Sequence, residues 1–200
     1  MKKIAAVLLL LSLLITAASC GKEAAANGSG DGAGSAPAQA DNGGSSGDEA
    51  SGNTVDSDAL VRGICEKYAL TDGFIFTSAS MELGEYLDED LIQSYYGDAT
   101  DAPDFSKVAD YCLYVDESDP DIIIDVGVFH MADPAYADTL MQYLQARIDV
   151  KIENGARYTN IDVATLKKSV VAKTKNGQYV YYVVSYSTAE IVSDIEAALK

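Results

Sequence analysis

The chain has 200 residues, 31 of them Asp or Glu and 14 Lys or Arg, for a formal net charge of −17. That balance argues against nucleic acid or anionic lipid headgroups as the main partner, since binding a polyanion calls for a basic face. A single histidine, His130, and no tryptophan leave poor material for a His-based zinc centre or for a sugar cleft walled by indole rings.

The N-terminus opens with Lys2 and Lys3, followed by apolar residues from Ile4 to Leu11 and, past Ser12, on to Ile15. This run is shorter than the roughly 20 residues that cross a bilayer core. It fits the apolar region of a signal peptide (residues 1–19), with Ala17, Ala18 and Ser19 as the small residues at the cleavage site. The next residue is Cys20, and small-small-Cys after a leucine-rich run resembles the lipobox of bacterial lipoproteins, although Ala17 stands where that motif most often has Leu. The resemblance implies that Cys20 is diacylated and becomes the mature N-terminus. Two acyl chains hold a soluble domain on a membrane where one binds only marginally. The competing reading is an ordinary signal peptide with an incidental cysteine.

Residues 20–54 form the lipidated cysteine and a tether. From Gly21 to Thr54 there is no Leu, Ile, Val, Met or aromatic residue. Such a stretch buries too little apolar surface to offset its ordering entropy. As a flexible coil its 34 residues span about 30–35 Å. Residues 55–200 are then a single domain, long enough for its own core. Val55 to Asp138 holds 20 acids against three bases, whereas Thr139 to Lys200 holds eight bases against six acids. The charge is therefore concentrated in the first half of the domain, as a solvated acidic surface.

Asp56 to Ala69 reads as a helix capped by Asp56 or Ser57, with Leu60, Val61, Ile64, Cys65 and Tyr68 at helical spacing. Glu82 to Tyr95 reads as a second helix, with Leu83, Leu87, Leu91 and Tyr95 on one face and Gly97 at its end. Two strands follow, Ala109 to Val115 and Asp121 to Phe129 (DIIIDVGVF), around an acidic turn. Asp133-Pro134 begins a helix whose stripe is Tyr136, Leu140, Tyr143, Leu144, Ile148 and Ile152, closed by Asn154-Gly155. Strands Ser169 to Lys175 and Gln178 to Tyr186 meet at Asn176-Gly177, a strong hairpin signal. The last helix starts at the capping box Ser187 to Glu190. The expected fold is α+β: a four-stranded antiparallel sheet in β-β-α-β-β-α order, two leading helices, and the two later helices packed on one face. Cys65 and Cys112 read as buried free thiols, with a disulfide as the alternative.

Candidate chemistry is sparse. His130 stands alone at a strand edge without a GxSxG-type nucleophile turn. The acidic run Asp116 to Asp121 lacks the Gly at position six and Glu at position twelve of a calcium loop, and Asp98, Asp101 and Asp104 are equally unpatterned. No catalytic residue, metal site or cofactor is assigned. The tyrosines are more informative, at 13 against four Phe. Laying the hairpin out from Asn176-Gly177 pairs Thr174 with Tyr179, Ala172 with Tyr181 and Val170 with Val183, and puts Tyr182 on the opposite face. Both faces are apolar. Either the leading helices cover the second face, or Tyr179, Tyr181 and Tyr182 form a binding surface.

Three features together resemble the bacterial lipoprotein family catalogued as domain of unknown function 4358. They are the segment Leu91 to Gly97, the strand-turn-helix from Asp125 to Leu144, and VVAKTKNGQYVYYVVS before the last helix. The resemblance covers roughly Val55 to Leu199. It implies a secreted or lipid-anchored protein of mainly Gram-positive bacteria and brings no ligand or catalytic residue.

The expectation is a non-enzymatic domain held outside the cell membrane by the lipid on Cys20. Its partner is expected to be an envelope protein or cell-wall polymer, not nucleic acid. The alternative is a carboxylate-based hydrolase of cell-wall polysaccharide. A solute-binding lipoprotein fits less well, because one domain lacks the usual two lobes.

Overall fold

The apolar run DIIIDVGVF has no polar face to turn to water, so its strand must be covered on both sides. In the computed structural model, which describes residues 54–98, 101–119 and 121–200, that strand is the centre of the sheet. The signal segment, Cys20 and the tether up to residue 53 lie outside the described residues. The elements in chain order are α1 (Ser57–Lys67), β1 (Phe74–Thr77), α2 (Glu89–Tyr96), β2 (Val108–Asp116), β3 (Ile124–Met131), α3 (Ala137–Gly155), α4 (Val163–Leu166), β4 (Val170–Lys173), β5 (Tyr179–Val184) and α5 (Thr188–Ala198). The sheet is antiparallel, in the order β1-β2-β3-β5-β4.

The α+β class holds, but the sheet has five strands where four were expected. The extra strand is Phe74-Ile75-Phe76-Thr77, which pairs with Cys112 to Val115 on the β2 edge. Four residues between turns carry too little alternation to stand out in the sequence.

The expected helix over Glu82 to Tyr95 is shorter and later. Gly84 takes φ +90°, and the Asp88 carboxylate accepts from the Leu91 N–H at 2.8 Å, which resets the start. Met81 and Leu83 are left 96% and 84% exposed, while Leu87 is buried.

The α3 start is as the sequence suggests: Asp133 accepts from the Ala135 N–H ahead of a 3-10 turn at Pro134–Tyr136. The box before α5 does not form. Ser187 makes no side-chain cap, and Thr188 Oγ1 instead donates to the Ser185 carbonyl at 2.7 Å and accepts its N–H at 3.1 Å.

Helices lie on both faces. α1 and α5 take one: Cys112 Sγ donates to Asp58 on α1 at 3.7 Å, and Tyr181 Oη donates to Glu196 on α5 at 3.0 Å. Asp194 on α5 ties the pair together by accepting from Lys67 and Tyr68 at the end of α1. α2 and α3 take the other face, where Tyr96 and Tyr182 share a buried hydroxyl pair at 3.2 Å and Arg147 reaches Asp125. The later helices α3 and α5 therefore sit on opposite faces, not on one as expected, because the Tyr182 face is as apolar as the Tyr181 face.

The hairpin register is the expected one, Ala172 opposite Tyr181 and Val170 opposite Val183. Gly177 at φ +70° serves the turn. Cys65 and Cys112 are both free and buried.

Two expectations follow from the packing. An added Cβ at Gly127 would lie 2.4 Å from the Tyr182 ring and 3.1 Å from Leu113. Both neighbours are fully buried, so Gly127→Ala should cost about 2–3 kcal/mol in urea unfolding; a cost near zero would show that the ring can move aside.

The second expectation concerns the thiols. Burial raises Cys65 from the usual 9.0 to about 11 and raises Cys112 as well. Between those values the unfolded chain has released protons that the fold still holds, so stability falls as pH rises. The slope is at most about 1.4 kcal/mol per pH unit for each thiol. Changing both cysteines to Ala should flatten urea midpoints over this range; an unchanged slope refutes the assignment.

Candidate functional site

The tyrosines proposed as a surface are interior. Tyr179, Tyr181 and Tyr182 are 6%, 3% and 0% exposed. Each hydroxyl is spoken for within the domain. Tyr179 accepts from the Val55 N–H at 2.8 Å and donates to its carbonyl, Tyr181 donates to Glu196, and Tyr182 meets Tyr96. The leading helices α1 and α2, one on each face, cover what the hairpin alone leaves bare. His130 stacks on Tyr179 with centroids 4.8 Å apart, so it packs at the strand end.

What the structure assembles instead lies at the start of β3. Asp125 interrupts an otherwise apolar strand and faces α3, which presents Arg147 and, one turn on, Lys151. The Asp125, Arg147 and Lys151 side chains are 1%, 9% and 11% exposed. Arg147 Nε donates to Asp125 Oδ2 at 3.1 Å and Nη1 donates to the Tyr95 carbonyl at 3.3 Å. The guanidinium lies 4.4 Å from the centroid of the Tyr95 ring, a stacked cation–π contact. Lys151 Nζ donates to the same Oδ2, its one acceptor among the described residues.

Two cations thus share one buried carboxylate. Arg147 Nη2 is within ion-pair distance of Oδ2 at 3.1 Å but is misaligned for a hydrogen bond, and Asp125 Oδ1 also has no partner. Burial disfavours both cations. For Arg147 burial is the largest single influence, but the charge and hydrogen bond of Asp125 together with Tyr182 and Tyr96 outweigh it and the pKa is raised; for Lys151 burial, aided by repulsion from Arg147, prevails and its pKa is lowered. Exposed Glu117 adds a weaker attraction to Lys151.

Arg147 and Lys151 form one end of a groove of about 650 Å³ between α2 and α3. Tyr95, Ala146 and Val150 supply apolar wall, and Tyr143, Asp98 and Asp101 the other end. Tyr143 Oη donates to Asp101 Oδ2, an attachment that pushes the phenol up to about 12. The Ala102 N–H donates to Asp101 Oδ1 and the Asp101 N–H to Asp98 Oδ1, each at 3.0 Å. The groove therefore runs from acidic to basic.

Among the described residues no group of three or more His, Cys, Asp or Glu is placed to hold a metal ion. Hydrogen bonds and nearby bases lower the pKa of Asp58, Asp104, Asp110, Asp162 and Asp194.

From sequence, Tyr95 is only an apolar helix position and Asp125 only a strand residue, and neither Arg147 nor Lys151 stands out. The available signal was Asp125, an acid inside an apolar strand, matched by two bases four apart beside the buried stripe of the longest helix. No protein-family model matches this chain, nor does any curated protein or solved structure.

Replacing Asp125 with Asn strips the counter-charge from two buried cations and should cost about 3–5 kcal/mol. Lys151→Met leaves one cation on one carboxylate and should cost less than about 1 kcal/mol. Urea unfolding of both variants checks the order; equal losses would make Lys151 as integral to the fold as Asp125.

Proposed function

We propose that this is a lipid-anchored extracytoplasmic domain, without enzymatic activity, that binds a partner of the cell envelope in the groove between α2 and α3. The observation that carries the reading is the groove itself. It is of ligand size, polarised end to end, and backed by a buried cluster with one cation in excess.

The anchor rests on the lipobox-like segment ending at Cys20. Kinship with the lipoprotein family of domain of unknown function 4358 belongs to the same proposal, resting on the segments quoted for it. The geometry of attachment is consistent with this reading. The tether meets the domain at Val55 to Ser57, held by Tyr179 and by Asp110, which accepts the Ser57 N–H at 3.0 Å. His130 pairs with Tyr179 and Asp110 at that end of β3. Asp125 is five residues away, about 17 Å along the strand, so the basic end of the groove stands away from the point of attachment. No helix among the described residues is long and apolar enough to cross a membrane.

Cys20→Ala should move the protein from the membrane to the soluble fraction and abolish palmitate labelling; continued membrane retention overturns the anchor. For the groove, Ala146→Trp fills the cleft from an exposed helix position and should leave the unfolding midpoint unchanged. In the native chain, amide resonances of residues 94–97 and 139–151 should shift on addition of solubilised envelope extract, and the variant should lose that response. Shifts confined to the β1 edge or to the Asn176-Gly177 turn overturn the groove assignment.

A further inference from the structure

Resting on that groove as the binding site, we infer that its ligand is a short zwitterionic peptide of about three residues, its free carboxylate against Arg147 and Lys151 and its ammonium against Asp101. Two cations share the single Asp125 carboxylate, and Lys151 Nζ has three donors and one acceptor. Arg147 Nη2 is buried against Asp125 Oδ2, so the open donors at this end belong to Lys151. The excess charge calls for an anion from outside the cluster, and the groove is the side on which Arg147 and Lys151 are both reached.

At the other end both carboxylate oxygens of Asp101 already accept one hydrogen bond each, from Tyr143 and Ala102. Each keeps a lone pair for a further donor. Asp98 adds a second negative charge beside it. A cationic group fits there and an anionic one is repelled.

Length fixes the class. Tyr143 and Lys151 are eight residues apart on one helix face, about 12 Å along the axis. A free amino acid is far too short to meet both ends, since an extended chain advances about 3.3–3.6 Å per residue. Three residues span about 10 Å. The wall between the ends includes Tyr95, Ala146 and Val150, which suits small side chains.

The test is calorimetric titration of the full chain, in detergent, with tri-L-alanine, its N-acetyl form, its C-terminal amide, and free alanine. Tri-L-alanine should bind, and removing either terminal charge should weaken it at least about tenfold. Lys151→Met should abolish the preference for acid over amide. Asp101→Asn should abolish the preference for the free amine over the acetylated one. Both variants should keep the native circular dichroism spectrum. Acid and amide binding equally, or alanine binding as well as the trimer, overturns the inference. So does no binding by any of the four. Because the groove reading is tested separately, by the loss of the envelope-extract response in Ala146→Trp, the peptide assignment can fail while the groove stands.

Discussion

The central strand is apolar on both faces, and most of the architecture is a response to that. β3 carries Val126 and Val128 toward α1 and α5, and Gly127 and Phe129 toward α2 and α3, all of them buried. An antiparallel sheet in a small domain commonly leaves one face to water; here neither face permits it. The short edge strand β1 and the leading helices therefore have an energetic task. They complete the sheet and finish the cover of both faces, each of which takes one leading and one later helix.

The same constraint explains the tyrosines. A tyrosine in a two-sided core needs a partner for its hydroxyl, because an unpaired buried hydroxyl costs about 1–3 kcal/mol. Tyr179 finds the backbone of Val55, Tyr182 finds Tyr96, and the Tyr111 hydroxyl oxygen accepts from the Leu87 N–H at 2.8 Å. These bonds fasten neighbouring segments to the sheet: the residues just before α1, the approach to α2, and α2 itself. Tyrosine content that reads as a sticky surface is here a set of internal anchors.

Which parts of this were legible follows from range. The hairpin register was legible because Asn176-Gly177 sets it locally, and the α3 stripe because 19 residues repeat a pattern. The start of α3 at Asp133 was equally local. The β1 strand was not, since four residues acquire strand character only by pairing with β2. The start of α2 was misplaced because Leu83 fits the helical spacing, while Gly84 and the Asp88 cap decide otherwise. The groove was out of reach for a different reason. Tyr95, Asp101, Asp125 and Arg147 come from four segments, and no spacing rule joins them.

Asp125 also shows why such a cluster is informative. Replacing a buried ion pair with apolar residues is often neutral or stabilising, and in the sheet Asp125 is flanked by Val115 and Val184. Stability gives no reason to set an acid there, still less to set two cations against it. The arrangement holds Arg147 over the Tyr95 ring with its Nη1 on a backbone carbonyl, and holds Lys151 Nζ on Asp125. A long flexible cation at a surface surrenders side-chain entropy when it binds an anion. Here that entropy is already lost on folding, with Asp125 as the clamp, so an arriving carboxylate meets donors fixed in position and a site still one positive charge in excess.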